Sequence, residues 1–152
     1  MSPITLVRTN PVELSNFVSL EQHLEAADFV IPNSLKEHLK TFFDPSIIYL
    51  TIEKKEDKQP AAGFMILTLD PDQKSIELRR IVVANKDGGV GQQAMGLLEK
   101  YVKQELGRSR IWLDVFTNNQ RALHIYRKMG YSQYGTADYV DGRPLLLFEK
   151  EF

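Results

Sequence analysis

The stretch Ile76-Glu77-Leu78-Arg79-Arg80-Ile81-Val82-Val83-Ala84-Asn85-Lys86-Asp87-Gly88-Gly89-Val90-Gly91-Gln92-Gln93-Ala94 passes from a strand through a glycine loop into a helix. Ile76–Val83 is rich in β-branched residues, as strands are. Past the loop, Ala94, Leu97, Leu98, Tyr101 and Val102 keep the i, i+3, i+4, i+7, i+8 spacing of one buried helix face. Gly107 suits the C′ position of that helix. Arg110–Phe116 reads as the next strand, so the helix is a crossover.

Upstream, Ile47–Ile52, Ala62–Leu69 and Ile76–Val83 are joined by polar links too short for a helix, which predicts an antiparallel meander. Residues 3–9 read as a first strand. Asn10-Pro11-Val12-Glu13 opens a helix to about residue 27, with Leu14, Phe17, Val18 and Leu24 as its apolar face. Ser34-Leu35-Lys36-Glu37 opens a shorter helix through Phe43, stopped by Asp44-Pro45. Downstream, Thr117–Gln120 caps a helix carrying Ala122, Leu123, Tyr126 and Met129, closed by Gly130. Tyr131–Tyr139 and Pro144–Glu149 form two strands about Asp141-Gly142. The order β-α-α-β-β-β-α-β-α-β-β predicts an α+β (α/β) fold, a mixed central sheet flanked by helices, in one domain spanning residues 1–152.

The 152 residues are 43% hydrophobic and 26% charged, a globular composition with room for one ordinary core. No stretch approaches the ~20 apolar residues of a membrane span. No secretory signal opens the chain, and a cytoplasmic location is the expectation. The absence of cysteine excludes thiolate nucleophiles and cysteine-based zinc sites. No histidine spacing suggests a metal site. The net charge of −1 argues against a nucleic-acid binder. It hides an asymmetry: residues 1–76 carry 7 basic and 11 acidic side chains, residues 77–152 carry 12 and 9. An anionic ligand on the C-terminal half would explain the split; so would solvated surface charge.

Glycines ahead of a helix let the backbone approach a ligand closely, and the free N–H groups of the first helical turn suit a phosphate. Lys86 would add a positive charge at the rim. The same residues also suit a plain tight turn. Gly89-Val90-Gly91-Gln92-Gln93-Ala94 matches the dinucleotide pattern G-x-G-x-x-A, with Asp114 about 20 residues on as the ribose acid. That pattern belongs to a doubly wound parallel sheet, whereas a meander precedes this loop. No Gly-Lys-Ser/Thr occurs, which excludes a P-loop.

Arg80–Gly91 resembles the acetyl-CoA motif of the GNAT-superfamily N-acetyltransferases. Asn119-Gln120-Arg121-Ala122-Leu123-His124-Ile125-Tyr126-Arg127-Lys128-Met129-Gly130-Tyr131 resembles the second signature of that family, and Arg110–Val115 resembles the strand between the two. The element order is similar across nearly the whole chain. The loop departs from the family pattern: Lys86 stands where Gln or Arg is usual, Asn85 replaces a common proline, and Asp87 brings a negative charge. These features resemble a shorter-loop subgroup that acetylates ribosomal-protein amino termini, polyamines or antibiotics.

The resemblance implies an acetyl-CoA-dependent transfer of acetyl to a primary amine of a small molecule or peptide. Lacking cysteine, the chain cannot form an acetyl-cysteine, so direct attack in a ternary complex is expected. A lysine-type amine titrates near 10.4 and needs a base. Glu77, on the strand entering the loop, is the candidate base, although an exposed strand glutamate is equally ordinary and a bulge would change its face. His124 is a weaker candidate. By spacing, Tyr126 is a core-facing aromatic; by resemblance, it protonates the departing CoA thiolate. The resemblance further implies that Ile81, Val82 and Val83 offer backbone groups to pantetheine. The cofactor site would also include Lys86, Gly88, Gly89, Val90, Gly91, Gln92 and Asn119, with Arg121, Arg127 or Lys128 meeting the 3′-phosphate. Asn119 serves equally as a helix cap. The acceptor side would draw on residues 12–43 and 134–144, where Glu21, Glu25, Asp28 and Asp138 favour a cationic amine or simply face water. Neither nucleic acid nor a membrane is an expected partner, and a homodimer is compatible with the chain. The alternatives are a non-catalytic acyl-CoA-binding module and, further off, a dinucleotide-binding domain.

Overall fold

The computed structural model describes residues 3–22, 32–58, 60–85 and 88–152. Lys86 and Asp87, together with Glu25, Asp28 and the expected helix end near residue 27, lie outside the described residues. The elements are β1 (Ile4–Arg8), α1 (Leu14–Gln22, entered through a 3-10 turn at Pro11–Glu13), α2 (Leu35–Phe42) and β2 (Ile47–Lys54). They continue with β3 (Gly63–Leu69), β4 (Ser75–Val83), α3 (Val90–Gln104), β5 (Arg110–Phe116), α4 (Gln120–Lys128), β6 (Ser132–Asp138) and β7 (Pro144–Glu151).

Local chemistry explains most of these boundaries. The Asn10 carboxamide accepts from Val12 N–H at 3.1 Å. The Ser34 hydroxyl accepts from Glu37 N–H while the Glu37 carboxylate accepts from Ser34 N–H, a complete capping box. Asn119 caps α4 by accepting from Ala122 N–H at 3.3 Å. Gly130 follows the α4 cap at φ +90°, the expected left-handed stop. Gly107 differs from expectation: α3 is already capped at Glu105, and Gly107 takes φ +62° two residues later, in the turn that brings Arg108 N–H to Val102 C=O.

The seven-stranded sheet runs β1-β2-β3-β4-β5-β7-β6. β1 to β4 form the antiparallel meander, and the α3 crossover makes β4 and β5 parallel. β7 inserts between β5 and β6 and pairs antiparallel with both. With a single parallel pair, the sheet is not the doubly wound sheet a dinucleotide fingerprint requires.

Among the described residues, each face of the sheet carries two helices. Val90, Ala94, Met95, Leu98 and Val102 of α3 and Leu123 and Tyr126 of α4 pack with Met65, Leu67, Ile76, Leu78, Leu113 and Val115. On the other face Leu14 and Phe17 of α1 meet Ile47, Tyr49, Phe64, Ile66 and Val82, with Phe42 of α2 against them. Phe17 stacks on Phe64 with ring centroids 4.2 Å apart.

Two backbone details shape the centre of the sheet. Ile66 pairs with Arg80 but Leu67 pairs with Leu78, so Arg79 is an extra residue in β4, a bulge. Before it, Ile76 and Leu78 face α3; after it, Val82 faces α1. The bulge therefore puts Glu77 and Arg80 on the same face, where unbroken alternation would separate them. The second detail is Gly63, paired with Val83, where a Cβ would stand 2.2 Å from the Val82 carbonyl oxygen and 3.1 Å from Val83 Cα. Both contacts are backbone, so only movement of β4 relieves them. Gly63→Ala is expected to cost about 3 kcal/mol, lowering the melting temperature by on the order of 10 °C; calorimetry checks it.

Candidate active site

β4 and β5 pair over only three positions, Ser75–Arg110, Ile76–Ile111 and Glu77–Trp112. Beyond Glu77 the strands part. β5 continues against β7 through Phe116, and β4 continues against β3 through Val83. From Leu78 onward, β4 thus has no strand partner on its β5 side among the described residues. A parted pair of parallel strands leaves backbone N–H and C=O groups aimed into the gap, available to an extended polar chain.

At the head of the gap stands the glycine loop. Gly89 is the N-cap of α3 at φ +71°, a left-handed conformation. Being glycine, it offers no side chain to the first-turn N–H groups, and among the described residues no side chain caps them. Gly88 and Gln92 are exposed, Gly89 and Gly91 half-buried, and Val90 buried in the core. Val83 packs beside Gly91, so the free edge of β4 leads directly to the helix N-terminus. These donors fit an anionic, extended molecule such as acetyl-CoA: Ile81–Val83 would hold its amide-bearing arm and residues 88–92 its pyrophosphate.

Leu113 and Val115 face α3, which places Trp112, Asp114 and Phe116 on the α1 face of β5, the same face as Glu77 on β4. Glu77 is half-buried, and Asp114 is exposed to the gap. Burial, and then the negative charge of Asp114, push Glu77 above its ordinary value; Arg79 opposes this and Asp70 adds to it. Asp114, although exposed, is crowded enough by the surrounding protein that its carboxyl is raised as well. Trp112 donates its indole N–H to Asp70 at 2.6 Å, which fixes the floor beneath the pair. Thr68 lies opposite Glu77 in the β3 register, and its buried hydroxyl has no hydrogen-bond partner among the described residues.

Tyr126 approaches from the other face. It is 8% exposed and sits in the α3-side core with Leu113 and Val115, its ring 5.9 Å from that of Tyr131. Burial and the Asp114 charge both raise its hydroxyl, so it stays protonated throughout the neutral range. Asp114 thus exerts its field on Glu77 and on Tyr126 alike. The core-facing and site-facing readings of Tyr126 are compatible, because the gap runs along the edge of that core.

The remaining candidates divide. Asn119 is committed through its carbonyl oxygen to capping α4, leaving its amide N–H groups. Arg121 and Lys128 are exposed on α4, whereas Arg127 lies over the Phe148 ring at 5.7 Å. His124 is exposed. Asp138 is exposed on β6. Glu21 faces neither water nor an acceptor: it is fully buried, with its carboxylate on His38 and Arg80. At the outer end of β5, Arg143 stacks over Phe116 at 4.1 Å, and Tyr139 packs against Phe116 at 5.5 Å. Asp114 and Thr68 are the site residues that sequence reasoning left out of the acetyl-transfer site. The signal for Asp114 was its place between inward-facing Leu113 and Val115; for Thr68 none existed, since register is not local. Among the described residues no group of three or more metal-binding side chains is assembled, and no helix is long and apolar enough to cross a membrane.

Residues 16–131 match the family model of the acetyltransferase (GNAT) family, and the chain belongs to that family. Its members move an acetyl group from acetyl-CoA to an amine, and acetyl-CoA is the co-substrate here. Solved structures agree in fold. The spermidine N-acetyltransferase of Vibrio cholerae in complex with CoA and spermine superposes with a TM-score of 0.81 at 18% identity, covering 97% of this chain and 95% of that one. A chimera of the Vibrio cholerae enzyme SpeG and hSSAT gives 0.81 at 17% identity, covering 99% and 96%. A domain from Methanocaldococcus jannaschii gives 0.80 at 15% identity, covering 100% of both chains. At these identities the likeness concerns the fold.

Proposed function

We propose that the gap between β4 and β5 acetylates a small cationic primary amine, with Glu77 and Asp114 as its carboxylate pair and Tyr126 as its acid. The observation that carries this reading is the placement of two raised carboxylates on one face of the parting strands and a protonated, buried phenol on the other. A cationic acceptor also suits the CoA- and spermine-bound Vibrio cholerae enzyme that shares this fold.

Acetyl-CoA supplies the acetyl group as a thioester whose sulfur takes up a proton on leaving. The ammonium of the acceptor pairs with Glu77 and Asp114, where a second negative charge makes the site more basic than an isolated carboxylate. Glu77 accepts one amine proton, directly or through water, and frees the nitrogen lone pair. That nitrogen forms its bond to the acetyl carbon as the carbon–sulfur bond breaks, and its second, surplus proton passes to solvent to leave a neutral amide. Tyr126 gives its hydroxyl proton to the departing sulfur and recovers one from solvent. The Ile81–Val83 backbone and the uncapped turn of α3 orient the donor, with Asn119, Arg121, Lys128 and Lys86 as further candidates for its phosphates.

The test is thiol release from acetyl-CoA against polyamines, aminoglycosides, amino acids and peptide amino termini. Turnover with at least one cationic amine, and none with neutral analogues, is expected. Equal rates on acceptors without a second positive charge would overturn the acceptor class.

A further inference from the structure

Glu21 occupies an unusual place for a carboxylate. It continues the buried stripe of α1, after Leu14 and Phe17, and has no solvent exposure. Three residues outside α1 hydrogen-bond it. His38 Nε2 of α2 lies 2.6 Å from Oε1, and Asn33 donates its backbone N–H to the same oxygen at 3.1 Å. Arg80 of β4 donates to Oε2. His38 is completed by the Tyr49 hydroxyl of β2 at 2.7 Å from Nδ1. Burial would raise Glu21, but the His38 hydrogen bond, the Arg80 charge and the Asn33 N–H outweigh it and hold the group ionised. Burial, and then the Glu21 charge, raise Tyr49 to about 12, so its hydroxyl stays protonated at neutral pH. An ionised carboxylate only accepts, so His38 presents Nε2–H to it. A buried ion pair adds little net stability over a well-packed apolar pair, so the arrangement calls for another explanation.

The bulge supplies one. It turns Arg80 onto the face that carries Glu77, one side chain along β4 from the carboxylate pair. A free guanidinium there would be a resident rival to a cationic acceptor. We propose that Glu21 is a positioning residue for acetyl transfer: it holds Arg80 against α1 and so keeps the Glu77–Asp114 carboxylates open to the acceptor ammonium. The proposal rests on the acceptor reading given above for its kinetic consequence, though not for the placement of Arg80.

Glu21→Gln tests it. The new amide would turn donors toward Arg80, donor against donor, and release the guanidinium toward Glu77. In enzyme carrying ¹³C-labelled carboxyls, without substrates, the Glu77 titration is expected to fall by about one pH unit or more. The acceptor KM should rise about tenfold, the size expected from a like-sign competitor at one carboxylate, with the acetyl-CoA KM unchanged. Adding Arg80→Met should restore both readouts. If E21Q does not fold, Glu21→Asp, which keeps the charge but shortens its reach, is compared with E21D/R80M in the same way. An unshifted Glu77 titration, or a double variant as impaired as the single one, overturns the positioning role. A shifted titration with an unchanged acceptor KM sustains the positioning role and overturns the acceptor reading beneath it.

Discussion

Tyr126→Phe is expected to lower kcat by about 10²-fold or more, while acetyl-CoA still raises the melting temperature as it does for the parent enzyme. The two readouts separate because ring and hydroxyl do different things. The ring packs in the core with Leu113, Val115 and Leu123, and phenylalanine keeps that packing. With the packing of the ring kept, no large loss of stability is expected. What disappears is a proton held ready by burial and by the Asp114 charge, the one needed by the departing thiolate. Stopped-flow thiol release with thermal-shift titration decides it. Full turnover in the phenylalanine variant would return Tyr126 to a purely packing role.

Glu77→Gln should reduce kcat/KM for the acceptor by about 10²-fold at pH 7, the usual contribution of a general base. The pH profile gives the sharper signature. Burial and then Asp114 raise Glu77 above the ordinary carboxylate value of 4.5. Its basic form is present above that raised pKa and is lost as pH falls through it, so the acid limb should lie above the ordinary carboxylate range. Asp114→Asn removes the neighbouring negative charge and should move the limb back toward lower pH. A limb that does not move on Asp114→Asn, together with a glutamine variant that keeps its rate, would assign the base elsewhere.

What could be read from the chain alone follows the range of the interactions involved. The capping box at Ser34–Glu37, the Asn119 cap, the stop at Gly130 and the α3 stripe depend on neighbours three or four residues away, and all are as expected. The short links likewise dictated the meander. The insertion of β7 between β5 and β6 depends on pairing between residues far apart in the chain, as Arg110 with Glu151, and nothing local announces it. The bulge at Arg79 is hidden because its neighbours are all plausible strand residues. Glu21 was misplaced for a related reason: one glutamate on a helix reads as surface until its partners on α2 and β4 are known. Its i+7 spacing from Leu14 was the available clue.

Strand β5, which carries Asp114 and one wall of the gap, shares three residue pairs with β4 and seven with β7. β7 is the last of the seven strands to leave the ribosome. Through most of synthesis, then, β5 lacks its principal neighbour, while the β1–β4 meander and its helices can already assemble. The catalytic wall is completed by the latest arrival, and a nascent chain exposes an unpaired β5 edge during that interval. A ribosome stalled after β6 and before β7 should display a protected meander and a β5 segment still open to exchange.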